Sequence, residues 1–564
     1  MTSREILPGQ ANADADGQAA SGRPGNGAPS RVPRVPRGAR GARGARGWAR
    51  AIRRRLTFEH LAVAGLALLV LAVHDVGYIF SQPYWTDEDW VALTTKFPLS
   101  ALPATTNSTP IGWSVLIRFF TVGGTQSARV VPLAFAGAAV VVAYWFGRGL
   151  DWSRREVAIG AGLLAGIAML LVPAMLIRDD LKQYTTDAFF AVLVLAVSSR
   201  LERGWSRRVL VTLSVVTGGG MLFSDAVAFM GAAAFTALCL VQLVRRNWRR
   251  LAEAVTAGLV TGILILGVYK GFDARAVTPS LTYSPHFASF YPPRRDLHAL
   301  ASFVISHLEL ENSHFGLGPL WLATSLFVVG VVTIFRTGRP VTGAALAILW
   351  PEMLVISALR LYPFVDARTS TFLFAVTTVV AAIGVAGVCS LLLPWLKGAL
   401  AAGLAVAAVA GFLVAAAPFV RSHEIPSEDM KALTLYVADH VPASDPVVLA
   451  QDSNFGFAYY WPTGQPSRVP NNTIIQEYEA NFPDQPRIVV ATSRMPAGVD
   501  AALDQALVYA QAHGCSPIYL IRTHLTAIEE NAYNSWLDGH HLASIGVEGY
   551  PGLAVTQSST HACQ

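Results

Sequence analysis

The sequence predicts a polytopic α-helical membrane protein that ends in a small α/β domain. Of its 564 residues, 53% are hydrophobic and 14% are charged, whereas about 25% of the residues in an average soluble domain are charged. Over most of the chain the apolar residues form runs of about 20, the length at which a helix crosses a bilayer. In the last segment, short strand-like runs alternate with helix-like stretches instead. These observations exclude an ordinary soluble protein.

Residues 1–55 form a basic, low-complexity tail. They carry 12 of the 43 Lys and Arg residues and three acids, a net charge of +9, so the remaining chain has a net charge of −3. The Arg/Pro/Gly repeat has too little apolar content to order a core, so we expect a disordered cytoplasmic tail. A plain topology signal and contact with anionic lipid headgroups both remain open. Nothing in its context favours nucleic-acid binding.

Hydropathy windows of about 19 residues predict about 11 membrane spans in residues 56–420. The apolar segments lie near 60–80, 127–147, 157–177, 185–199, 209–224, 226–244, 251–269, 318–335, 342–359, 371–393 and 398–420. The chain should therefore cross the membrane an odd number of times and end on the side opposite its N-terminus.

The charges of the loops predict which side is which. If the basic tail is cytoplasmic, every even-numbered loop is cytoplasmic too, and those loops are short and basic, as the positive-inside rule requires. Their basic residues are Arg148, Arg154, Arg155, Arg200, Arg203, Arg207, Arg208, Arg245, Arg246, Arg249, Arg250, Arg336, Arg339 and Lys397. The extracytoplasmic side then holds the long loops 81–126 and 270–317 and the segment 421–564. We expect the chemistry to face outward.

The segment 421–564 has the pattern of a small extracytoplasmic α/β domain. Strand-like runs at 446–450, 487–493 and 517–522 alternate with helix-like stretches at 501–513 and 527–537. Cys515 and Cys563 both fall in it, where an oxidising exterior permits a disulfide, although Cys563 is the penultimate residue. Cys239 and Cys389 lie in predicted spans, where we expect packing roles.

A first acidic cluster follows the first span, in the stretch YWTDEDW at 84–90. Aromatic residues are expected at a membrane boundary, but the three consecutive acids Asp87, Glu88 and Asp89 are not. Desolvation and mutual repulsion should raise the pKa of at least one of them, as suits a group that accepts a proton near neutral pH. The alternative is a solvated cap at a helix end.

Two further clusters lie at predicted outer ends of spans. RDDLKQYTTD, at 178–187, contains Asp179, Asp180, Lys182, Tyr184 and Asp187. Charged residues that are packed this tightly at the end of a span usually form ion pairs or bind a ligand. Asp187 also suits the N-terminus of a helix.

The third cluster, RLYPFVDAR at 360–368, contains Arg360, Tyr362 and Arg368. Outward arginines run against the positive-inside trend and suit bidentate contact with phosphate, with headgroup snorkelling as the alternative. His307 and Glu311 stand at i, i+4 spacing, but no complete ligand motif accompanies them, so we expect no metal site there.

Several motifs are missing from the sequence. It contains no Gly-rich nucleotide loop, no Walker lysine, no GxSxG and no HExxH. Their absence argues against an ATP-driven pump, a serine hydrolase and a zinc protease.

The three polar clusters together resemble motifs of the GT-C-fold membrane glycosyltransferases. The likeness is to the branch of bacterial protein O-mannosyltransferases and lipid A aminoarabinose transferases (glycosyltransferase family 39-like). WTDEDW and the following TPIGW at 109–113 resemble that family's first loop, LKQYTTDAF its Lys-x-Tyr-x-x-Asp stretch, and LYPFVDART its Tyr-Pro-Phe-x-x-Arg motif. The chain departs from the pattern in having a single proline at Pro110 and a third acid at Asp89.

The resemblance implies transfer of a sugar, with inversion, from a polyprenyl-phosphate donor to an extracytoplasmic cell-wall glycan, lipid or protein acceptor. Asp87 would be the base, and Glu88 would orient Asp87 or the acceptor. The implied phosphate ligands are Lys182, Arg360 and Arg368, and the implied sugar or headgroup ligands are Asp179, Asp180, Tyr184, Asp187 and Tyr362. No cofactor is required, although Mg²⁺ or Mn²⁺ is not excluded. Mannose or arabinofuranose would suit an actinobacterial host, at which the composition hints.

Two other function classes compete with the transferase. A transporter or flippase would use ionisable residues in mid-span, whereas Asp225 lies at a predicted outward end and Glu352 lies just inside the ninth span after Pro351. The prominent clusters also lie at outer ends of spans rather than at the midplane. A structural scaffold would tolerate loss of the carboxylates.

Overall fold

The structure is a computed structural model. It describes residues 58–74, 76–105, 109–121, 126–172, 181–273, 285–293, 296–314, 318–366, 368–392, 429–461, 465–468, 478–482 and 485–558. The chain divides into two compact units, Met1–His60 and Leu61–Gln564. The predicted disordered tail, 1–55, lies outside the described residues, as do Asp179, Asp180, Cys563 and the predicted last span at 398–420.

Helices make up the first two thirds of the described chain. They are α1 (Phe58–Val73), α2 (Val76–Ser81), α3 (Thr86–Thr94), α4 (Leu102–Thr105), α5 (Ile111–Arg118), α6 (Val130–Arg148), α7 (Arg155–Leu170), α8 (Tyr184–Arg203), α9 (Arg207–Gly220), α10 (Ala226–Val244), α11 (Trp248–Val268), α12 (Leu297–His314), α13 (Leu320–Arg336), α14 (Pro340–Ala358) and α15 (Thr371–Leu392). Short 3₁₀ turns lie at Leu99–Ala101, Ser127–Arg129 and Pro285–Phe290.

Among the described residues, six helical stretches are long and apolar enough to cross a membrane. They are Ser127–Arg148, Tyr184–Arg203, Ala226–Val244, Trp248–Phe272, Pro340–Ala358 and Thr371–Leu392. Shorter apolar helices lie at Glu59–Val73, Leu297–Leu310 and Leu320–Arg336. A multi-pass membrane protein is therefore confirmed, whereas the count of about 11 spans stays a prediction.

The side chains of α15 are apolar and are buried around most of the helix circumference, so this helix lies in the middle of the bundle. Small residues let α13 approach it closely. A Cβ at Gly330 would collide with the backbone of Val380, and one at Gly384 would collide with the backbone of Leu326. Small residues at such contacts are typical of helix packing in membranes, where close approach replaces the hydrophobic effect as the source of stability.

The C-terminal part contains a five-stranded sheet. Its elements are α16 (Met430–His440), β1 (Val447–Leu449), α17 (Ser453–Tyr460), β2 (Gln465–Arg468), β3 (Tyr478–Asn481), β4 (Ile488–Val490), α18 (Pro496–Ala512), β5 (Tyr519–Ile521), α19 (Ala527–Gly539), β6 (Leu542–Gly546) and β7 (Leu553–Ser558). The strand order is β4-β1-β5-β7-β6, and β2 pairs with β3 in a separate ribbon.

The sheet is parallel on one side and antiparallel on the other. Val448 of β1 lies opposite Val489 and Leu520 in parallel pairs, and β7 runs antiparallel to both β5 and β6. The central strands are apolar on both faces, as is usual for parallel strands covered by helices. The predicted boundary at 421 lies outside the described residues, so an independent extracytoplasmic domain stays a prediction. Cys515 is disulfide-bonded, while Cys239 and Cys389 carry free thiols.

Helix α3 joins the membrane helices to this C-terminal part. The indole of Trp90 stacks on Phe455 of α17, with ring centroids 5.7 Å apart. The next residue of α17, Gly456, packs against α3, and a Cβ atom at this position would collide with the carboxylate of Asp89. The Tyr460 hydroxyl accepts a hydrogen bond of 3.0 Å from the Tyr84 backbone N–H. The acidic helix therefore lies between two packed layers rather than in a solvated loop.

Candidate active site

The three consecutive acids of α3 occupy its first turn. A helix N-terminus favours negative charge, which explains why this stretch forms a helix despite the repulsion among Asp87, Glu88 and Asp89. Successive residues of an α-helix point about 100° apart. The three carboxylates therefore enter three different environments, and each has to be considered separately.

Asp87 lies between two cations. Its Oδ2 atom is 3.2 Å from Lys182 Nζ, and the same oxygen forms an ion pair with Arg368 Nη2. The Asp87 side chain is 18% exposed, so the site is accessible from the protein surface. Burial alone would raise the pKa of Asp87, but Lys182 and then Arg368 outweigh it and hold the pKa well below its usual range. The rise expected from the sequence is therefore not found at this carboxylate.

Aromatic rings hold both cations in place. The Arg368 guanidinium carbon lies 4.7 Å from the ring centre of Trp85 and 5.7 Å from that of Tyr184. The Lys182 ammonium lies 5.6 Å from the ring centre of Trp90. Cation–π contacts of this kind are worth about 0.5–1 kcal/mol when exposed and more when desolvated. The sequence prediction named neither tryptophan as a site residue, although both stand in the motif WTDEDW.

Glu88 has a different partner. Its fully buried carboxylate faces Arg129, whose Nε donates to Oε1 at 2.8 Å and whose Nη2 forms an ion pair with Oε2. Arg129 also donates to the backbone carbonyls of Ile79 in α2 and of Gln82 and Pro83 in the turn before α3. A buried bidentate pair of this kind fixes geometry. The role of Glu88 in orienting Asp87 or the acceptor stays a prediction, and the sequence prediction missed Arg129.

Asp89 faces the C-terminal part of the chain. It is fully buried against α17, near the phenol groups of Tyr459 and Tyr460. Burial, followed by the negative charge of Asp89, raises the pKa of Tyr459 to about 12. Asp89 is thus placed at the contact between α3 and α17.

A second pair of acids, Asp187 and Asp225, lies near Tyr184. Asp187 stands one turn further along α8, is 2% exposed, and lies close to Ser224 and Ala226 at the start of α10. Burial, followed by the charges of Asp187 and Asp225, raises the pKa of Tyr362 well above its usual value. Both carboxylates therefore lie close to the Tyr362 phenol.

Tyr362 belongs to the loop that also carries Arg368. Its hydroxyl donates to the Thr369 backbone carbonyl at 2.7 Å. The structure thus brings the predicted residues Tyr184, Asp187 and Tyr362 together and adds Asp225. The sequence predicts Asp225 at an outward end of a span but does not mark it as a site residue; its place at the start of α10 puts it at the same end of the bundle as Asp187.

Arg360 is not part of the cation pair. It is exposed, with its guanidinium carbon 6.0 Å from the ring centre of Tyr291. Its backbone φ of 61° turns the chain at the end of α14. In the part of the chain that the structure describes, the cations that contact Asp87 are Lys182 and Arg368.

Within the described ranges no group of three or more His, Cys, Asp or Glu residues is arranged to hold a metal ion. The ring nitrogens of His307 lie 2.8 Å from the Phe303 carbonyl and 3.0 Å from the Ser289 carbonyl. His307 therefore holds the 3₁₀ turn Pro285–Phe290 against α12. A divalent cation supplied with the substrate remains open.

The arrangement combines a carboxylate with two cations at one end of a membrane bundle. A carboxylate released from its cations can accept a proton, and a Lys–Arg pair binds an anionic oxygen and stabilises charge that develops on it. The nearby acids and phenols supply hydrogen-bond acceptors for a polar group.

Known structures share this fold. ArnT from Cupriavidus metallidurans in the apo state aligns with a TM-score of 0.50 and 13% identity over 88% of this chain and 98% of its own. The same protein bound to undecaprenyl phosphate aligns at 0.47, with 14% identity over 89% and 98%. The archaeal oligosaccharyltransferase AglB from Archaeoglobus fulgidus, in complex with an inhibitory peptide and a dolichol-phosphate, aligns at 0.49, with 12% identity over 89% and 74%.

No family model and no curated protein matches the sequence. At these identities the alignment with ArnT establishes the fold, not the substrates. The likeness to GT-C proteins that the motifs predicted is confirmed at the level of fold, while the branch stays a prediction. The chain has the GT-C fold of membrane glycosyltransferases.

Proposed function

We propose that this protein is an integral-membrane glycosyltransferase that moves a sugar from a polyprenyl-phosphate donor to an extracytoplasmic acceptor. The observation that carries the proposal is the contact of Asp87 with both Lys182 and Arg368. The fold shared with ArnT supports it. One structure of ArnT contains undecaprenyl phosphate, which agrees with a lipid phosphate as the donor group here.

The reaction is a single displacement at the anomeric carbon. The acceptor hydroxyl gives its proton to the Asp87 carboxylate while its oxygen forms a bond to that carbon. The bond from the anomeric carbon to the phosphate oxygen breaks, and its electron pair leaves with the phosphate. Lys182 and Arg368 stabilise the charge that grows on the departing phosphate. One displacement inverts the anomeric configuration.

The sugar then lies between the phosphate site and the acid pair. Tyr184 contacts Arg368 on one side and stands one turn before Asp187 on the other. Asp187, Asp225 and Tyr362 would accept hydrogen bonds from sugar hydroxyls. The donor sugar and the acceptor, whether a glycan, a lipid or a protein, have to be identified with a substrate panel.

The proposal includes an orientation. The basic loops favour a cytoplasmic N-terminus, and with that orientation α3 and the sheet are extracytoplasmic. The donor's polyprenyl chain would lie among the membrane helices, with its phosphate at the outer boundary beside Lys182.

One observation favours transport as a second candidate. Glu352 follows Pro351 within α14 and lines a groove of about 470 Å³ against Thr236 of α10. An ionisable residue within a membrane span marks a substrate or proton pathway by default. Uptake of labelled lipid-linked sugar by proteoliposomes, lost in Glu352→Gln and kept in Asp87→Asn, would favour this function.

The test of the transferase is a reconstituted assay. Full-length protein in lipid is offered a panel of radiolabelled polyprenyl-phosphate sugars with cell-envelope acceptors, and both transfer and donor binding are counted. Asp87→Asn keeps the side-chain volume and removes the base, so we expect transfer to be lost and donor binding to be retained. Asp439→Asn, the same change at an exposed residue of α16, is the matched control and should transfer normally.

A further inference from the structure

The two cations of the site converge on one oxygen atom. Lys182 Nζ and Arg368 Nη2 both contact Asp87 Oδ2. An anionic oxygen held by an ammonium and a guanidinium group is the arrangement in which proteins bind a phosphate oxygen. In this structure the anion in that position is part of the protein itself.

The cation pair has supports other than Asp87. Trp85 and Tyr184 contact the guanidinium of Arg368, and Trp90 contacts the ammonium of Lys182. Tyr184 comes from α8, whereas the two tryptophans come from α3 and its N-cap. A second anion could therefore replace the Asp87 carboxylate without the cations having to be rebuilt.

The present arrangement also makes Asp87 a poor base. A carboxylate that accepts contacts from two cations gives up much of its proton affinity, and the pKa of Asp87 is held well below its usual range. A general base works best with a pKa near the working pH. Asp87 must therefore lose at least part of its contact with the cations before it takes a proton from an acceptor.

We propose that the donor phosphate displaces Asp87 Oδ2 from Lys182 and Arg368, and that this exchange converts Asp87 from an internal anion into the active base. The inference rests on the proposed function, because it takes the donor to be a lipid phosphate. Two consequences follow: the donor binds before the base becomes active, and Asp87 competes with the donor for its own site.

The competition between Asp87 and the donor phosphate predicts whether loss of Asp87 strengthens or weakens phosphate binding. With Asp87 charged, the three side chains carry a net charge of +1, and removal of the carboxylate leaves +2. A phosphate that no longer has to displace a carboxylate should bind about tenfold more tightly. The free energy of that factor is a modest fraction of the electrostatic attraction between two unit charges at this separation. An ordinary ligand residue behaves in the opposite way, because its removal weakens binding.

The experiment measures binding of sugar-free undecaprenyl phosphate to full-length protein in lipid nanodiscs. We expect Asp87→Asn and Asp87→Ala to bind it about tenfold more tightly than wild type, and Lys182→Gln and Arg368→Gln to bind it at least tenfold more weakly. Asp439→Asn should match wild type. Two Asp87 variants are measured because the test can be read from either one if the other fails to fold.

The outcomes separate the inference from the function. Equal or weaker binding by both Asp87 variants, with weaker binding by Arg368→Gln, would overturn the exchange and leave the phosphate site in place. Unchanged binding in Lys182→Gln and Arg368→Gln would show that the phosphate binds elsewhere, and the proposed function would lose its donor site as well.

Discussion

The carboxylate of Asp87 lies 3.2 Å from the ammonium of Lys182, although 94 intervening residues separate them in sequence. Asp87 belongs to the first turn of α3, whereas Lys182 lies just before α8. Arg368, from a third part of the chain, contacts the same carboxylate oxygen. Three segments that the sequence singled out separately are thus joined by one oxygen atom.

Arg368 and Arg360 offer a matched pair for testing the phosphate site. Arg368→Lys keeps the charge but loses the planar group that contacts Trp85 and Tyr184, so we expect the KM for the donor to rise about tenfold. Arg360→Lys changes an exposed residue near Tyr291 and should leave KM unchanged. Steady-state kinetics over a donor series check this, and an effect of Arg360→Lys equal to that of Arg368→Lys would contradict the assignment.

Glu88 should affect stability before it affects chemistry. Glu88→Gln leaves the buried Arg129 without its counter-charge, and breaking a buried pair costs about 3–5 kcal/mol. We expect a clear drop in the thermal unfolding temperature in detergent, partly restored by adding Arg129→Met. A variant that unfolds like wild type but fails to transfer sugar would instead make Glu88 a catalytic residue.

Asp187 should distinguish the sugar from the phosphate. A hydrogen-bonding group left unsatisfied in a buried site costs about 1–3 kcal/mol, so Asp187→Asn should weaken binding of the sugar-bearing donor about tenfold. Binding of sugar-free undecaprenyl phosphate should not change. The two affinities are measured side by side, with Asp225→Asn as the parallel variant. Equal weakening of both ligands would place Asp187 outside the sugar site.

The lowered pKa of Asp87 predicts a pH dependence. Because the pKa in the folded protein lies below that of an unfolded aspartate, about 3.9, the ion pairs stabilise the fold fully above that pH. Their contribution is lost as the pH falls through the folded-state pKa. Unfolding free energies of wild type and Asp87→Asn should therefore differ by a constant amount from pH 5 to 7 and converge in stronger acid. A difference that changes between pH 5 and 7 would contradict the lowered pKa.

Hydropathy located the helices well because a span must be apolar along its whole length. The predicted segments at 226–244 and 371–393 coincide almost residue for residue with α10 and α15. The helical membrane fold was therefore predictable. The sheet order was not, because it depends on pairings such as Val448 with Leu520, which are distant in sequence.

The site was predictable as a set of segments but not as a set of contacts. Asp87 and Glu88 are neighbours, yet about 100° of helix rotation sends them to different partners. The partner of Glu88, Arg129, lies in a segment that carried no motif. Likewise, composition could not separate Arg368 from Arg360, because the positive φ angles at Arg360 and Val365 determine the path of the loop between them.

The central claim is that Asp87 is the base of a sugar transfer. Its most direct test compares transfer and donor binding for wild type and Asp87→Asn, with the polyprenyl-phosphate sugars that the panel identifies as donors. We expect wild type to transfer sugar and Asp87→Asn to bind the donor at least as tightly but to transfer none. Normal transfer by Asp87→Asn, or no donor binding by folded wild-type protein, would contradict it.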